Sequence, residues 1–515
     1  MSETAQKFLL SRDGLQARQA VSRLGRFRRR GYQRFLLVRN FVDFSLLWKR
    51  RWFIIAMLLG FTLMAAPTPA GLTHDGQIVL AMSLIATILF ISEAVPLPTV
   101  PLLIIIGEVI LLRQDPTKVA QSLMTDSVLF IMGSLMLAVA VVKQRLDRRI
   151  AWWIVRVTGT NVYAISFGLT TVCGLLAAFI GEHTVAAMML PVGVTLITLT
   201  SDDPKAIRNL SAVLLFSISY GCSIAGVATP SGGARNAIMI SYWKDFFYVA
   251  SDPSTRRYLV DYVHWALYAF PMFLLRLPLV PLLLIITFKP EVKDLSRAIA
   301  RLRTQVSMQG PMRGGEWMTI LIFVVTILMW VALSPSLGLG TIALLGTSAF
   351  LVFGLVRWED INGGVNWGVV LLYAAAISLG VEMKNTGAAD WMAGTAMHVF
   401  TAAGATGGLG FDTAISLLTM FVSNTMTAGA AVAVLAPIVL KTAVAAGHDP
   451  LHVGFIAAIS SAFGYLTAAA QPAFTIIYAS GYLKAADFFK IGWRMMIVSF
   501  IILLVIAQFY WPYLA

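Results

Sequence analysis

The sequence predicts an all-α membrane protein of about 11 transmembrane helices plus two re-entrant hairpins, arranged as an inverted repeat. Three observations carry this. The 515-residue chain is 58% hydrophobic and 12% charged, whereas a soluble domain carries about 25% charged residues. Apolar runs of near-membrane-spanning length recur along it. One segment is used twice. Ile180-Gly181-Glu182-His183-Thr184-Val185-Ala186-Ala187, running on to Leu190-Pro191, is matched by Val422-Ser423-Asn424-Thr425-Met426-Thr427-Ala428-Gly429, running on to Ala436-Pro437. The offset is about 240 residues, and self-similarity on this scale is read before any local feature.

The N-terminal stretch 1–51 is a basic arm, with Arg23, Arg26, Arg28, Arg29, Arg30, Lys49, Arg50 and Arg51. Positive loops stay in the cytoplasm. Phe8, Leu9, Leu10, Phe35, Leu36 and Leu37 give the arm an apolar side that suits anionic lipid. Membrane lipid rather than nucleic acid is therefore the expected partner of this charge. The first long apolar run begins only near Trp52, so no signal peptide is expected.

A first membrane repeat, 52–287, carries apolar spans at 52–67, 77–95 and 99–113, and a hairpin-like stretch at 118–145. Spans resume at 150–178, 185–200, 208–228 and 262–287. The stretch 288–314 is a second basic segment, read as a cytoplasmic linker. A second repeat, 315–515, has spans at 315–333 and 339–357, a hairpin-like stretch at 365–386, and spans at 387–421, 426–443, 452–469 and 488–511. Several stretches are too short to cross alone, which suits half-helices and re-entrant segments.

Two further correspondences support the repeat. Asp126-Ser127-Val128-Leu129-Phe130-Ile131-Met132-Gly133-Ser134 lies about 58 residues before His183, and Asn366-Trp367-Gly368-Val369-Val370-Leu371-Leu372-Tyr373-Ala374 about 58 before Asn424. Their apolar runs end in the polar turns Lys143-Gln144-Arg145-Leu146-Asp147 and Lys384-Asn385-Thr386-Gly387. Downstream, Gly226-Val227-Ala228-Thr229-Pro230-Ser231-Gly232-Gly233-Ala234-Arg235-Asn236 corresponds to Ala468-Ala469-Ala470-Gln471-Pro472-Ala473. The order read from these pairs is hairpin, broken helix, broken helix, twice.

Both basic segments belong in the cytoplasm, so an even number of crossings separates them. About six crossings plus a hairpin fit the first half and about five plus a hairpin the second, which leaves Tyr513-Leu514-Ala515 outside. Equivalent hairpins then enter from opposite sides. The expected location is a bacterial inner membrane, with the N-terminus cytoplasmic.

Polar breaks inside apolar runs are costly in lipid unless they line a cavity. Paired breaks at matching places in two halves are the sequence mark of a transporter's binding site. Half-helix N-termini present free N–H groups and a positive dipole end, which favours an anion. Thr184, Ser423 and Thr425 add hydroxyls, and Asn424 an amide. For Glu182 and His183 several roles stay open: pairing with each other to cap the break, a positive charge from His183, or titration. Arg235 suits bidentate binding of a carboxylate or sulfonate; its plainer role is an interfacial, snorkelling arginine near Trp243. For an isolated Ser, Thr or Gly, helix packing is the bland alternative.

Cys173 and Cys222 both lie in apolar segments and suggest neither a disulfide framework nor a zinc site. The six histidines form no HExxH pattern. No clustered His and Asp, and no nucleophile beside a base, is visible, so an enzyme is not expected. A cation/proton antiporter or an arsenite-type carrier is the competing transporter class, and substrate charge discriminates it.

The Ser423-Asn424-Thr425 tripeptide in a broken helix, and the twice-used order of hairpin, broken helix and Thr-Pro-Gly-rich break, resemble the divalent anion/sodium symporter family of the ion transporter superfamily. Ile91-Ser92-Glu93-Ala94-Val95-Pro96-Leu97-Pro98 and Arg148-Arg149-Ile150-Ala151 are similar to family segments at matching places. The resemblance covers about 52–511. It implies a homodimer, a rigid scaffold from about 52–113 and 262–357, and a block of hairpins and broken helices that carries the site in an elevator motion. It implies a di- or tricarboxylate or sulfate as substrate, with sodium coupling or anion exchange and no cofactor beyond Na+. The implied substrate-binding set is Glu182, His183, Thr184, Thr229, Arg235, Ser423, Asn424, Thr425 and Pro472. The implied sodium-site candidates are Gly226, Ser423, Asn424 and Ala470. The family has Ser-Asn-Thr in both repeats, whereas the first copy here reads Glu182-His183-Thr184. The family's Pro-Pro-Asn triplet is replaced by Ala234-Arg235-Asn236 and Gln471-Pro472-Ala473. An imidazole is a poor sodium ligand, so the expectation is a missing or altered first sodium site.

Overall fold

The computed structural model describes residues 50–144, 159–201, 203, 206–300 and 311–514. Most of the basic arm, the Arg148–Ala151 segment and Arg145–Asp147 of the first polar turn lie outside the described residues. Among those residues every regular element is a helix. Nine helices among the described residues are long and apolar enough to cross a membrane.

Helices α1 (Arg51–Ala65), α2 (His74–Ser92) and α3 (Thr99–Ile110) open the chain. Thr73 caps α2 by accepting from the Gly76 amide, and its hydroxyl donates to Thr386 O at 2.7 Å. Leu58, Leu59 and Phe61 of α1 point outward, as lipid-facing residues do. A short helix, α4 (Pro116–Ser122), is started by the Asp115 cap and Pro116.

The hairpin expected over 118–145 is not formed. Beyond α4 the chain makes one helix, α5 (Asp126–Lys143). Gly133 does not break it; a Cβ there would stand 2.5 Å from Ala343 Cβ, so glycine admits a neighbouring helix instead. The hairpin-like stretch 365–386 is likewise one helix, as described below.

The hairpins lie where broken helices were expected. α6 (Val162–Ile180) and α7 (Glu182–Thr200) meet at Gly181, whose φ of 93° reverses the chain. Next comes α8 (Arg208–Ala225). Ser166 and Ser217 hydroxyls lie 2.6 Å apart, and Gly174 lies against Gly221, so α6 runs parallel to α8. Glu182 lies beside Gly226, while Gly193 lies against Leu215 and Ile218, so α7 runs antiparallel to α8. Therefore α6 and α7 form a helical hairpin with its tip at 181–183. The chain then unwinds over 226–233 and resumes as α9 (Ala234–Phe247).

α10 (Tyr262–Arg276) and α11 (Leu279–Phe288) lead to the linker. After it come α12 (Gly314–Leu337), α13 (Leu339–Val352), α14 (Trp358–Gly364) and α15 (Trp367–Asn385), the single helix that replaces the second expected hairpin. The span expected over 387–421 is two helices, α16 (Ala388–Ala402) and α17 (Gly408–Ser423), separated where Gly404 takes a φ of 66°. α18 (Ala428–Ala445) returns beside α17: the His448 ring, just past α18, stacks on Phe411 and bonds to Thr406 O at 3.0 Å. This is the second hairpin, with its tip at 424–427. α19 (Pro450–Ser460) runs parallel to α17, through His452–Asp412 and Ser460–Ser416 contacts. The chain unwinds again over 464–471, resumes as α20 (Pro472–Ala479), and ends in α21 (Ala485–Phe509).

Side-chain and backbone contacts define the two ends of the bundle. At the linker end, Lys143 pairs with Asp360 and Arg208 with Asp487, and the Val162 amide donates to Lys293 O at 3.0 Å. At the far end, Asp126 accepts from the Leu339 and Gly340 amides at 3.1 and 3.0 Å, and Arg257 pairs with Asp449. The first hairpin opens at the linker end and the second at the far end. Passes between the ends are made by α1, α2, α3, α5, α8–α9 and α10–α11 before the linker, and by α12, α13, α15, α19–α20 and α21 after it.

Candidate functional site

Each hairpin tip is seated on the unwound segment of the helix that follows it. In the first half, Glu182 is the first residue of α7 and Arg235 the second of α9. Arg235 Nη1 donates to Glu182 Oε1 at 3.1 Å, and the two side chains are 2% and 8% exposed. Arg235 is thus not a snorkelling residue, and Glu182 pairs with Arg235 rather than with His183. The His183 ring stands 3.4 Å from the Thr184 hydroxyl, and both residues are half-buried.

The guanidinium lies directly over Gly226. A Cβ at Gly226 would stand 2.6 Å from Arg235 Nη2 and 3.2 Å from Glu182 Oε2. Only a residue without a side chain admits the ion pair here. Thr229 and Ser231 both donate hydroxyls to Ala178 O, near the end of α6, and thereby tie the break to the hairpin. Asn236 Nδ2 reaches Gly226 O at 2.8 Å and Thr229 O at 2.7 Å. The Gly226 carbonyl, expected to serve a cation, is therefore engaged by an amide.

In the second half the side chains of the tripeptide fold back on their own helix. Ser423 Oγ and Asn424 Nδ2 donate to Met420 O at 3.1 and 2.8 Å, and Thr425 Oγ1 donates to Val422 O at 2.7 Å. They add second hydrogen bonds to carbonyls that already accept backbone amides in the last turn of α17 and the tip. Asn424 Oδ1 accepts from the Leu466 amide at 2.9 Å, so this asparagine joins tip to break. Ala470 is buried, and Pro472 opens α20. Gln471 donates to Ala462 O at 3.1 Å, while its Oε1 is buried without a partner.

Four half-helix N-termini, those of α7, α9, α18 and α20, thus gather at the level of the tips and breaks. The two halves are braced across one another. The Tyr242 hydroxyl lies 2.9 Å from both Ala376 O and Ala433 O, on α15 and α18. Arg276, fully buried, donates to Ile224 O at 2.9 Å and to Tyr465 Oη at 3.1 Å. It joins the end of α8 in one half to the unwound segment of the other. Sequence reasoning assigned Arg276, Tyr242, Tyr465 and Asn236 no role. An arginine inside an apolar span was the available signal for the first; nothing marks the tyrosines until the chain is folded.

Comparison with known proteins agrees with this architecture. The family model described as "Sodium:sulfate symporter transmembrane region" matches residues 45–515. An uncharacterized transporter of Haemophilus influenzae is 27% identical over 481 residues, covering 89% of this chain and 96% of the relative. The sodium-dependent dicarboxylate transporter SdcS of Staphylococcus saprophyticus is 22% identical over 473 residues, covering 86% and 88%. Two solved transporters share the fold. MtrF of Neisseria gonorrhoeae has a TM-score of 0.53 at 15% identity, covering 89% of this chain and 94% of its own. YdaH of Alcanivorax borkumensis has a TM-score of 0.52 at 13% identity, covering 75% and 85%. The match over nearly the whole chain, on a helical bundle built for the membrane, places it in a family: the chain belongs to the sodium:sulfate symporter, or divalent anion/sodium symporter, family of integral membrane transporters.

Proposed function

We propose that this protein is a secondary carrier of a small divalent organic anion, a C4-dicarboxylate or similar, working by anion exchange or with reduced sodium coupling. The observation that carries the reading is the buried Arg235 guanidinium held on Gly226 by Glu182. Carbonyls at half-helix ends are where such carriers hold coupling cations. Here a tethered cation lies over Gly226, at one such end, and the Gly226 carbonyl accepts from Asn236. Arg276 adds a second permanent charge, with no carboxylate partner among the described residues. Glu182 balances the charge of Arg235, so the uncompensated fixed charge is that of Arg276; it does not leave with the substrate, so an emptied carrier is costly to reorient, and exchange is favoured.

The four gathered N-termini suit an anion. Thr184, His183, Ser423, Asn424, Thr425, Thr229 and Pro472 line or support the two half-sites in this reading. Ser423, Asn424 and Ala470 remain candidates for one sodium ion, in keeping with relatives named as sodium-dependent dicarboxylate transporters. Residues 52–287 and 315–515 are then two inverted repeats, joined by a cytoplasmic linker at 288–314 and preceded by a cytoplasmic arm at 1–51. The reading includes a homodimer in the bacterial inner membrane, in which hairpins and broken helices move together as an elevator.

The test is succinate uptake into proteoliposomes, with and without internal succinate, across sodium and pH gradients and with sulfate as competitor. Internal succinate should stimulate uptake, with weak sodium dependence. A sodium Hill coefficient above about 2 without stimulation by internal anion would rule out the exchange reading, because multi-sodium symport needs several coupled cation sites. Uptake of sulfate in preference to succinate would assign an inorganic anion instead.

A further inference from the structure

A cavity of about 540 Å³ lies outside the two half-sites, between the end of α2, the turn after it and the second hairpin. Its wall includes Arg50, Phe90, Glu93, Val100, Thr427 and Ala430. Thr427 is two residues beyond Thr425 and belongs to the hairpin tip. The second hairpin opens at the far end of the bundle, so its tip points toward the linker end. The cavity lies on that side of the tip.

Arg50 immediately precedes α1, whose 15 residues run from it to the far end. Arg50 thus stands at the linker-side end of α1, where the basic arm meets the bundle and the cavity wall. Nη1 donates to Ala94 O at 3.2 Å, and no carboxylate pairs with the guanidinium among the described residues. Glu93, in the turn held at a φ of 48°, is exposed at the rim of the same cavity.

We propose that this cavity is the vestibule through which anions reach the second hairpin tip from the linker end, and that Arg50 recruits them. The guanidinium gives the vestibule a positive potential at its wall, and Glu93 limits it at the rim. Field focusing by charges in a low-dielectric cleft raises the local concentration of the oppositely charged solute. This rests on the anion-carrier reading, but its test does not need the substrate to be known.

A cysteine at Thr427→Cys, in a Cys173→Ser, Cys222→Ser background, is labelled with an anionic and a cationic methanethiosulfonate, and the ratio of rates is read. Two unit charges about 6 Å apart in water change a local concentration about threefold, so Arg50→Gln should lower the anion-to-cation ratio by about tenfold. Arg50→Lys should restore most of it, and Glu93→Gln should raise it. An unchanged ratio in Arg50→Gln, or no labelling of Thr427→Cys by either reagent, overturns the proposal. Succinate uptake by the wild type reports separately on the carrier reading: with uptake present, Arg50→Gln should raise KM from the linker side alone and leave the maximal rate unchanged.

Discussion

The buried ion pair at the first hairpin tip supports a quantitative test. Glu182 and Arg235 are separated by 3.1 Å and are 8% and 2% exposed. At an effective dielectric constant of about 20, two unit charges at this distance attract by about 5 kcal/mol. Most of that only offsets the cost of removing both from water. The asymmetry therefore lies between single and double substitutions. Glu182→Gln leaves a buried guanidinium that cannot neutralise, and breaking one side of such a pair costs about 3–5 kcal/mol. Gly226→Ala should act in the same direction by another route, because its methyl would stand 2.6 Å from Arg235 Nη2 and displace it. The double variant Glu182→Leu, Arg235→Met removes both charges at similar volume, and such replacements are often neutral or stabilising. Purified variants are ranked by thermal midpoint in detergent, and counterflow is measured in proteoliposomes. Glu182→Gln and Gly226→Ala should melt clearly below wild type. The double variant should recover most of the stability yet lose exchange, because the tethered cation is gone. If Glu182→Gln is as stable as wild type, or the double variant is no better than the single, the pair is not the closed, mutually compensating unit inferred here.

Two further outcomes are expected. Thr425→Ala and Thr184→Ala should each raise the KM for anion, since a hydroxyl bonded to a charged partner contributes about 1.5–3 kcal/mol; unchanged affinity in both would remove these hydroxyls from the site. For the elevator motion, cysteines at Phe90 of α2 and Ala430 of α18, which line the same cavity, offer a cross-link between the scaffold and the second hairpin. Complete cross-linking should arrest transport, and a full rate under those conditions contradicts movement of the hairpin block past α2.

The all-helical membrane class follows from the sequence alone, because hydrocarbon leaves a chain little choice. Backbone groups must bond within the segment, so apolar length nearly specifies a helix. The repeated polar tripeptides were legible for the same reason: Glu182-His183-Thr184 and Ser423-Asn424-Thr425 place three consecutive polar residues between predominantly apolar runs. Which break reverses the chain was not legible. Gly181 and Asn424 looked like kinks in broken helices, while 118–145 and 365–386 looked like hairpins. A glycine at φ 93° decides the first case. In α5, Gly133 merely makes room for Ala343. Composition does not distinguish these uses of glycine, because the difference lies in what packs against it. Arg235 shows the same limit. Its sequence setting allowed a snorkelling role, and only the fold brings it to Glu182, 53 residues away, over a glycine that admits both. Arg276 and Tyr465, 189 residues apart, meet because the two halves interlock. Local polarity and spacing thus determine which segments enter the membrane and where their helices break. Partnership between buried charges is a long-range property, set by the packing of one half against the other.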